Sequence, residues 1–255
     1  MTYFSDDAIA KLAEEFVLLQ GRYEALLIAY NNHNYRVAKS AEHAQHGFLR
    51  RLGTLLRCVH NTYRILPPER GDHPPSREDR LDATINIQAF VFNIFGAINN
   101  LAWLWVTEIG LKKEDGSQIA SNWVGFGPKN TFLRQSLSPS LQEYLASLDG
   151  WFAQLESFRH ALAHRVPLYI PPYIVLTASE AEWRSLEQEI TRAALRGDSK
   201  AKDTLTERQM KLCKFRPWMV PSLFEGQNPI VFHAQLIADF KTVEELGLKL
   251  LPELP

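Results

Sequence analysis

Apolar residues recur along this chain at steps of three and four, the period of helices that bury one face. The first run is Ile9, Leu12, Phe16, Leu19, Tyr23, Leu26 and Leu27. Ser5 before it, followed by Asp6 and Asp7, supplies a hydroxyl cap and two acids at the positive end of the helix dipole. Asn31-Asn32-His33-Asn34 predicts a break, because Asn favours caps and turns. A second helix is expected from about Tyr35 to Leu66, with Phe48, Leu52, Leu55, Leu56, Val59 and Tyr63 on its apolar face and Pro67-Pro68 as its stop. Residues 67–80 are charged and proline-rich, which predicts an exposed loop. Residues 81–109 then read as one long buried helix, with Gly110 as its C-terminal stop.

Residues 111–138 carry the punctuation of an irregular connection. Ser138-Pro139 opens a helix whose core face is Leu141, Leu145, Leu148, Phe152, Leu155, Phe158 and Leu162, and Pro167 ends it. The proline-rich segment 166–175 is expected to lie extended over the bundle. Ser179 with Glu182 forms a capping box that starts a helix running to about Arg196, residues 198–214 extend it or form a separate helix, and a last helix spans about 230–251. The expected fold class is all-α: a helical bundle over residues 1–175 with a C-terminal helical extension over 176–255. Pro217, Trp218 and Pro221 mark a boundary towards that appendage.

Charge and composition narrow the function. Lys and Arg number 28 against 29 acids, a formal net charge of −1, so a surface that is basic overall is excluded and nucleic-acid binding needs a local patch. Two distant cysteines, Cys58 and Cys213, build neither a disulfide framework nor a cysteine-rich zinc module. The first residues lack the cationic and apolar regions of a secretory signal, and the expectation is a cytoplasmic protein. Residues 85–106 have the length of a membrane span, but Asn86, Gln88, Asn93, Asn99 and Asn100 are costly in hydrocarbon. A buried bundle helix, with no membrane as partner, is the better expectation.

Two polar patterns repeat at sevens. Arg36, His43, Arg50, Arg57 and Arg64 form a cationic stripe on the second helix, with Lys39, His46, Arg51 and His60 nearby, and Arg50, Arg57 and Arg64 are the candidate nucleic-acid contacts. Asn86, Asn93, Asn100 and Thr107 form a ladder on the long helix. Buried amides need partners, so the ladder either fixes helix register, or Asn93 or Asn100 orients a functional side chain. Gly125-Phe126-Gly127-Pro128-Lys129 lacks the context of a phosphate loop and reads as a turn.

The segment with the most chemistry is Phe158-Arg159-His160-Ala161-Leu162-Ala163-His164. Arg159-x4-His164, with polar His160 after the arginine and a place late in an amphipathic helix, resembles the Arg-x4–6-His motif of the HEPN superfamily. The other spacing match, Arg36 to His43, has apolar Val37 after its arginine. The resemblance covers about residues 5–170. Many members carry a tyrosine two residues after the histidine, where this chain has Val166, with Tyr169 close by. The resemblance implies a metal-independent RNA endonuclease, without cofactor, acting on RNA as a homodimer. Arg159, His160 and His164 would be its catalytic residues, supported by Asn93 or Asn100. Neutral imidazole can take the ribose 2′-hydroxyl proton, and a guanidinium can hold the charge developing on phosphate. Five residues of ideal helix turn about 500°, which leaves Arg159 and His164 roughly 140° apart, so either the helix loosens near Pro167 or a second subunit completes the site.

Two other classes remain open on the same residues. In a non-catalytic interaction protein, Arg159 binds a carboxylate and His164 caps helix carbonyls. In a metal-binding bundle, Glu156, His160 and His164 align at spacings of four. No second carboxylate or histidine cluster of that spacing accompanies them, so no metal is expected.

Overall fold

The computed structural model describes residues 2–221 and 228–255. It is an all-α bundle, with two short two-stranded sheets among the described residues. Helix α1 (Asp6–Asn32) begins where Ser5 Oγ accepts from the Ala8 N–H, and ends in the asparagine-rich break. The next helical rod starts at Ala38 rather than Tyr35. It comprises α2 (Ala38–Ala41), a π-helical segment (Glu42–Leu49) and α3 (Arg50–Ile65). The wider π turn, with its i→i+5 bonding, breaks the phase that a strict repeat of seven assumes.

Helix α4 (Arg77–Glu108) starts a turn before the expected Leu81, because Ser76 Oγ accepts from the Asp79 N–H and caps it. It ends before Gly110, whose φ of 64° makes glycine the fitting residue there. It is long and apolar enough to cross a membrane, but more than half of its most apolar stretch is buried inside the protein.

The helix expected over 139–166 is two: α6 (Pro139–Ser147), capped by Ser138, and α7 (Asp149–His164), with a break at Leu148. Before them a short α5 (Thr131–Gln135) interrupts the irregular connection. The proline-rich segment is extended, as its composition predicts. Tyr169 pairs through its backbone with Val220, and β1 (Ile174–Val175) pairs antiparallel with β2 (Cys213–Lys214). Gly197, at φ 73°, turns α8 (Glu180–Leu195) back into α9 (Ser199–Lys211), and Arg208 bonds Glu182 across this hairpin. Ser179 stands before α8 but makes no side-chain cap.

The expected extension over 176–255 divides. The α8–α9 hairpin is an appendage that buries few side chains, whereas α10 (Phe232–Leu250) returns to the bundle, reached through β3 (Trp218–Met219) pairing with β4 (Ile230–Val231). Helix α10 packs against α1, α3 and α4 and places Phe240, Val243, Leu246 and Leu250 in the same core as Leu26, Phe48, Leu55 and Phe90. Each such side chain contributes about 1.5–3 kcal/mol on burial, so this helix belongs to the bundle's main hydrophobic layer. Gly247 permits the close approach: a Cβ there would stand 2.8 Å from the Phe48 ring, and its carbonyl accepts from the Tyr30 hydroxyl at 2.8 Å. Buried Asp239 on α10 accepts from Trp151 Nε1 and Gln235 Nε2, tying α7 to the same helix.

Candidate functional site

Arg159 lies late on α7, and its guanidinium stands 4.3 Å from the centre of the Phe95 ring of α4. It has no carboxylate partner among the described residues. A cation on an aromatic face is held by the ring quadrupole and keeps its full charge for another ligand. The ring and the guanidinium border a cavity of about 420 Å3. Its apolar wall is Phe95, Ile98, Phe126, Phe152 and Leu155, and its polar rim includes Asn99, Lys129, Asn130 and Glu156. A wall of flat and branched side chains beside two cations suits a ligand with a planar apolar part and an anionic group.

The loop opposite Arg159 is the stretch that reads in sequence as a turn. It does turn, and Phe126 is fully buried beneath it. Arg134 fixes this loop: its Nε donates to the Phe126 carbonyl at 2.8 Å, and its Nη2 donates to Asp149 at 2.7 Å and to the Leu145 carbonyl at 3.3 Å. One mostly buried guanidinium thus joins the cavity wall to the start of α7. Lys129 reaches across the opening to Glu156, at 3.1 and 3.3 Å.

The two histidines lie beyond this rim. His160 and His164 are exposed one turn apart, ring centres 6.3 Å apart, with His160 Nε2 4.0 Å from Glu156. Helix α7 stays regular to His164 and then passes to an extended Arg165. The loosening that would bring Arg159 and His164 onto one face within a single chain is therefore not observed, and the separation of about 140° stands. Glu156 is occupied by Lys129, and among the described residues no three His, Cys, Asp or Glu side chains converge as metal ligands.

No protein-family model, curated protein or solved structure returned a match to this chain. The site is read from its own geometry.

The asparagine ladder does not serve Arg159. Asn93 and Asn100 accept from Arg51, at 3.2 Å from Nη1 and 3.1 Å from Nε, and Asn86 accepts from Asn61. Phe95 and Ile98 stand roughly 140–160° around α4 from Asn93, so the ladder and the Arg159 cavity occupy different sides of that helix. The cationic stripe is shorter than its sevens imply. Arg36 lies before the helix, its backbone N–H held by Glu108 at 2.6 Å, and His43 lies in the π segment with its ring stacked on Trp103. Arg50, Arg57 and Arg64 remain, all exposed on regular α3.

Phe95 and Arg134 are site residues that the sequence pattern did not single out, while Phe126 and Lys129 read there only as part of a turn and Asn99 only as a polar residue of the long helix. The signal that points to the loop is its punctuation: a phenylalanine between two glycines, then Pro-Lys-Asn, places one apolar anchor and one cation on a tightly turning backbone.

Proposed function

We propose that this protein binds single-stranded RNA at the Arg159 cavity and cleaves it without a metal, as a dimer in which His164 of a second copy meets Arg159. One observation carries the reading. Arg159 rests on Phe95 at the edge of an apolar cavity, with no carboxylate among the described residues to neutralise it, and two exposed imidazoles follow it on the same helix. A base fits the aromatic wall, and its phosphate falls to Arg159 and Lys129. A neutral imidazole then takes the 2′-hydroxyl proton. The freed oxygen attacks phosphorus to close a cyclic phosphate, the P–O5′ bond breaks, and the departing 5′-oxygen takes a proton from a second side chain in its protonated imidazolium form, with His160 and His164 filling the base and acid roles. Arg159 holds the charge that builds on the phosphoryl oxygens. Exposed Arg50, Arg57 and Arg64 offer phosphate contacts to a longer strand.

The separation of Arg159 from His164 within one chain favours a second reading, RNA binding without cleavage. One experiment distinguishes them. Single-stranded RNA is incubated with the full chain in excess EDTA, beside the same strand with 2′-deoxy sugars. Cyclic-phosphate ends on the RNA alone support cleavage. Binding of both strands with no cut supports the binding protein. If neither strand binds, both readings are wrong.

A further inference from the structure

A second polar hollow, of about 530 Å3, lies on the other side of α4, between that helix and the π segment. Lys39, His43, His46, Arg50 and Arg51 line it, with Glu42 as its one acid and Asn93 and Asn100 as its floor. We propose that this hollow is a binding site for a phosphomonoester dianion. The inference does not rest on the RNA-cleavage reading, although Arg50 serves both.

The argument begins with Arg51. Its guanidinium is oriented by two hydrogen bonds, both to neutral asparagine oxygens. A carboxylate in that place would cancel the charge; amides orient the group and leave its charge intact. Two glycines make the arrangement possible. A Cβ on Gly96 would stand 2.4 Å from the Arg51 guanidinium, and one on Gly47 would stand 2.5 Å from Asn100 Nδ2. Both glycines lie inside helices, where glycine costs about 0.5–1 kcal/mol relative to alanine, a cost that the Arg51–Asn100 contact explains.

Charge balance selects the ligand. With both imidazoles neutral, three cations (Lys39, Arg50, Arg51) against Glu42 leave a local charge of 3 − 1 = +2, and none of the four forms an ion pair among the described residues. A phosphomonoester carries close to two negative charges at neutral pH, whereas each diester linkage of a nucleic-acid backbone carries one. His43 lines the same hollow with its ring stacked on Trp103 at 6.0 Å, and its Nε2, shielded from solvent, has no hydrogen-bond partner among the described residues. A π segment is a frequent mark of functional sites, and here it supplies Glu42, His43, His46 and Gly47 to one hollow.

The test is calorimetric titration of the full chain at constant ionic strength with inorganic phosphate, then with adenosine 5′-monophosphate, and with an RNA octamer bearing either a 5′-phosphate or a 5′-hydroxyl. Inorganic phosphate is expected to bind. The exposed substitutions Lys39→Ala and Arg50→Ala should each weaken it about tenfold, the effect of losing one charge-assisted hydrogen bond. Arg51→Gln should weaken it at least as much, with circular dichroism checking its fold. Tighter binding of the mononucleotide points to a free phosphorylated metabolite, and a preference for the 5′-phosphorylated octamer points to a nucleic-acid end. The proposal is overturned if phosphate fails to bind, or if binding is lost with Arg159→Ala but kept with Lys39→Ala and Arg50→Ala.

Discussion

Asp239→Asn should make the protein's stability respond to pH in a way that reports the cost of burying this carboxyl. Burial raises the Asp239 pKa from 3.8 to about 6, and the bonds from Trp151 and Gln235 only partly offset that. A folded pKa above the unfolded one means that the neutral acid is favoured in the fold. The group is harmless well below pH 3.8, its penalty builds between pH 3.8 and 6, and it levels off above 6. About 1.4 kcal/mol per pKa unit gives a cost of about 3 kcal/mol at pH 7.5. Asparagine has no charge to bury and still offers an oxygen to Trp151 and Gln235. Urea unfolding of both proteins from pH 4 to 7.5 measures the difference. About 0.6 kcal/mol of that cost is already present at pH 4, so the variant should gain about 2.4 kcal/mol relative to the wild type between those limits, whatever its offset at pH 4. A difference that stays constant with pH would refute the argument, because nothing else that titrates differs between the two proteins.

The remaining predictions follow from the same bookkeeping of charge and space. His233 responds in the opposite direction: burial lowers its pKa to about 4, so it costs nothing above pH 6.5 and destabilises the fold increasingly as pH falls from 6.5 to 4, a range in which the unfolded state alone takes up the proton. His233→Gln should remove about 3 kcal/mol of acid sensitivity in the same unfolding series. Arg134→Ala should cost about 1–3 kcal/mol, since it strands the Phe126 carbonyl while the half-exposed Asp149 carboxylate stays solvated, and it should raise amide exchange in residues 125–130. Arg159→Ala removes only a ring contact and should cost about 1 kcal/mol or less in thermal unfolding. Gly96→Ala displaces the flexible end of Arg51, so its helix gain of about 1 kcal/mol nearly offsets the lost bonds, whereas Gly47→Ala strikes short Asn100 and should be the more destabilising of the two on urea unfolding.

Much of the fold was legible because local signals agreed with burial. Ser5 and Ser138 cap the helices that they announce, Pro67 and Gly110 stand at the ends they mark, and the apolar spacing read along the first two helices is that of the faces α1 and α3 pack into the core. Other features depend on contacts that no local pattern encodes. The π segment bears residues ordinary for an α-helix, and its partner Asn100 lies more than fifty positions away from Gly47. Ser76 was hidden in a stretch that its prolines and charges made loop-like. Helix α10 was separated from the bundle by proline punctuation, although Phe240, Val243 and Leu246 carry a core-helix spacing. At the site, the sequence pointed to Arg159, His160 and His164 through their order along one helix. It could not show that Phe95 and the 125–130 loop would build a cavity beside Arg159, because those residues meet only once α4 and α7 pack.

The central claim is that Arg159 and His164 act together across two copies, and mixing variants tests it most directly. Arg159→Ala and His164→Ala homodimers each lack a complete site. In a heterodimer of the two, one site regains both residues and the other loses both. Random mixing makes about half the dimers mixed, so RNA cleavage in EDTA should return to about a quarter of the wild-type rate. Cleavage retained by either variant alone, no recovery on mixing, or no cleavage by the wild-type chain would contradict the account.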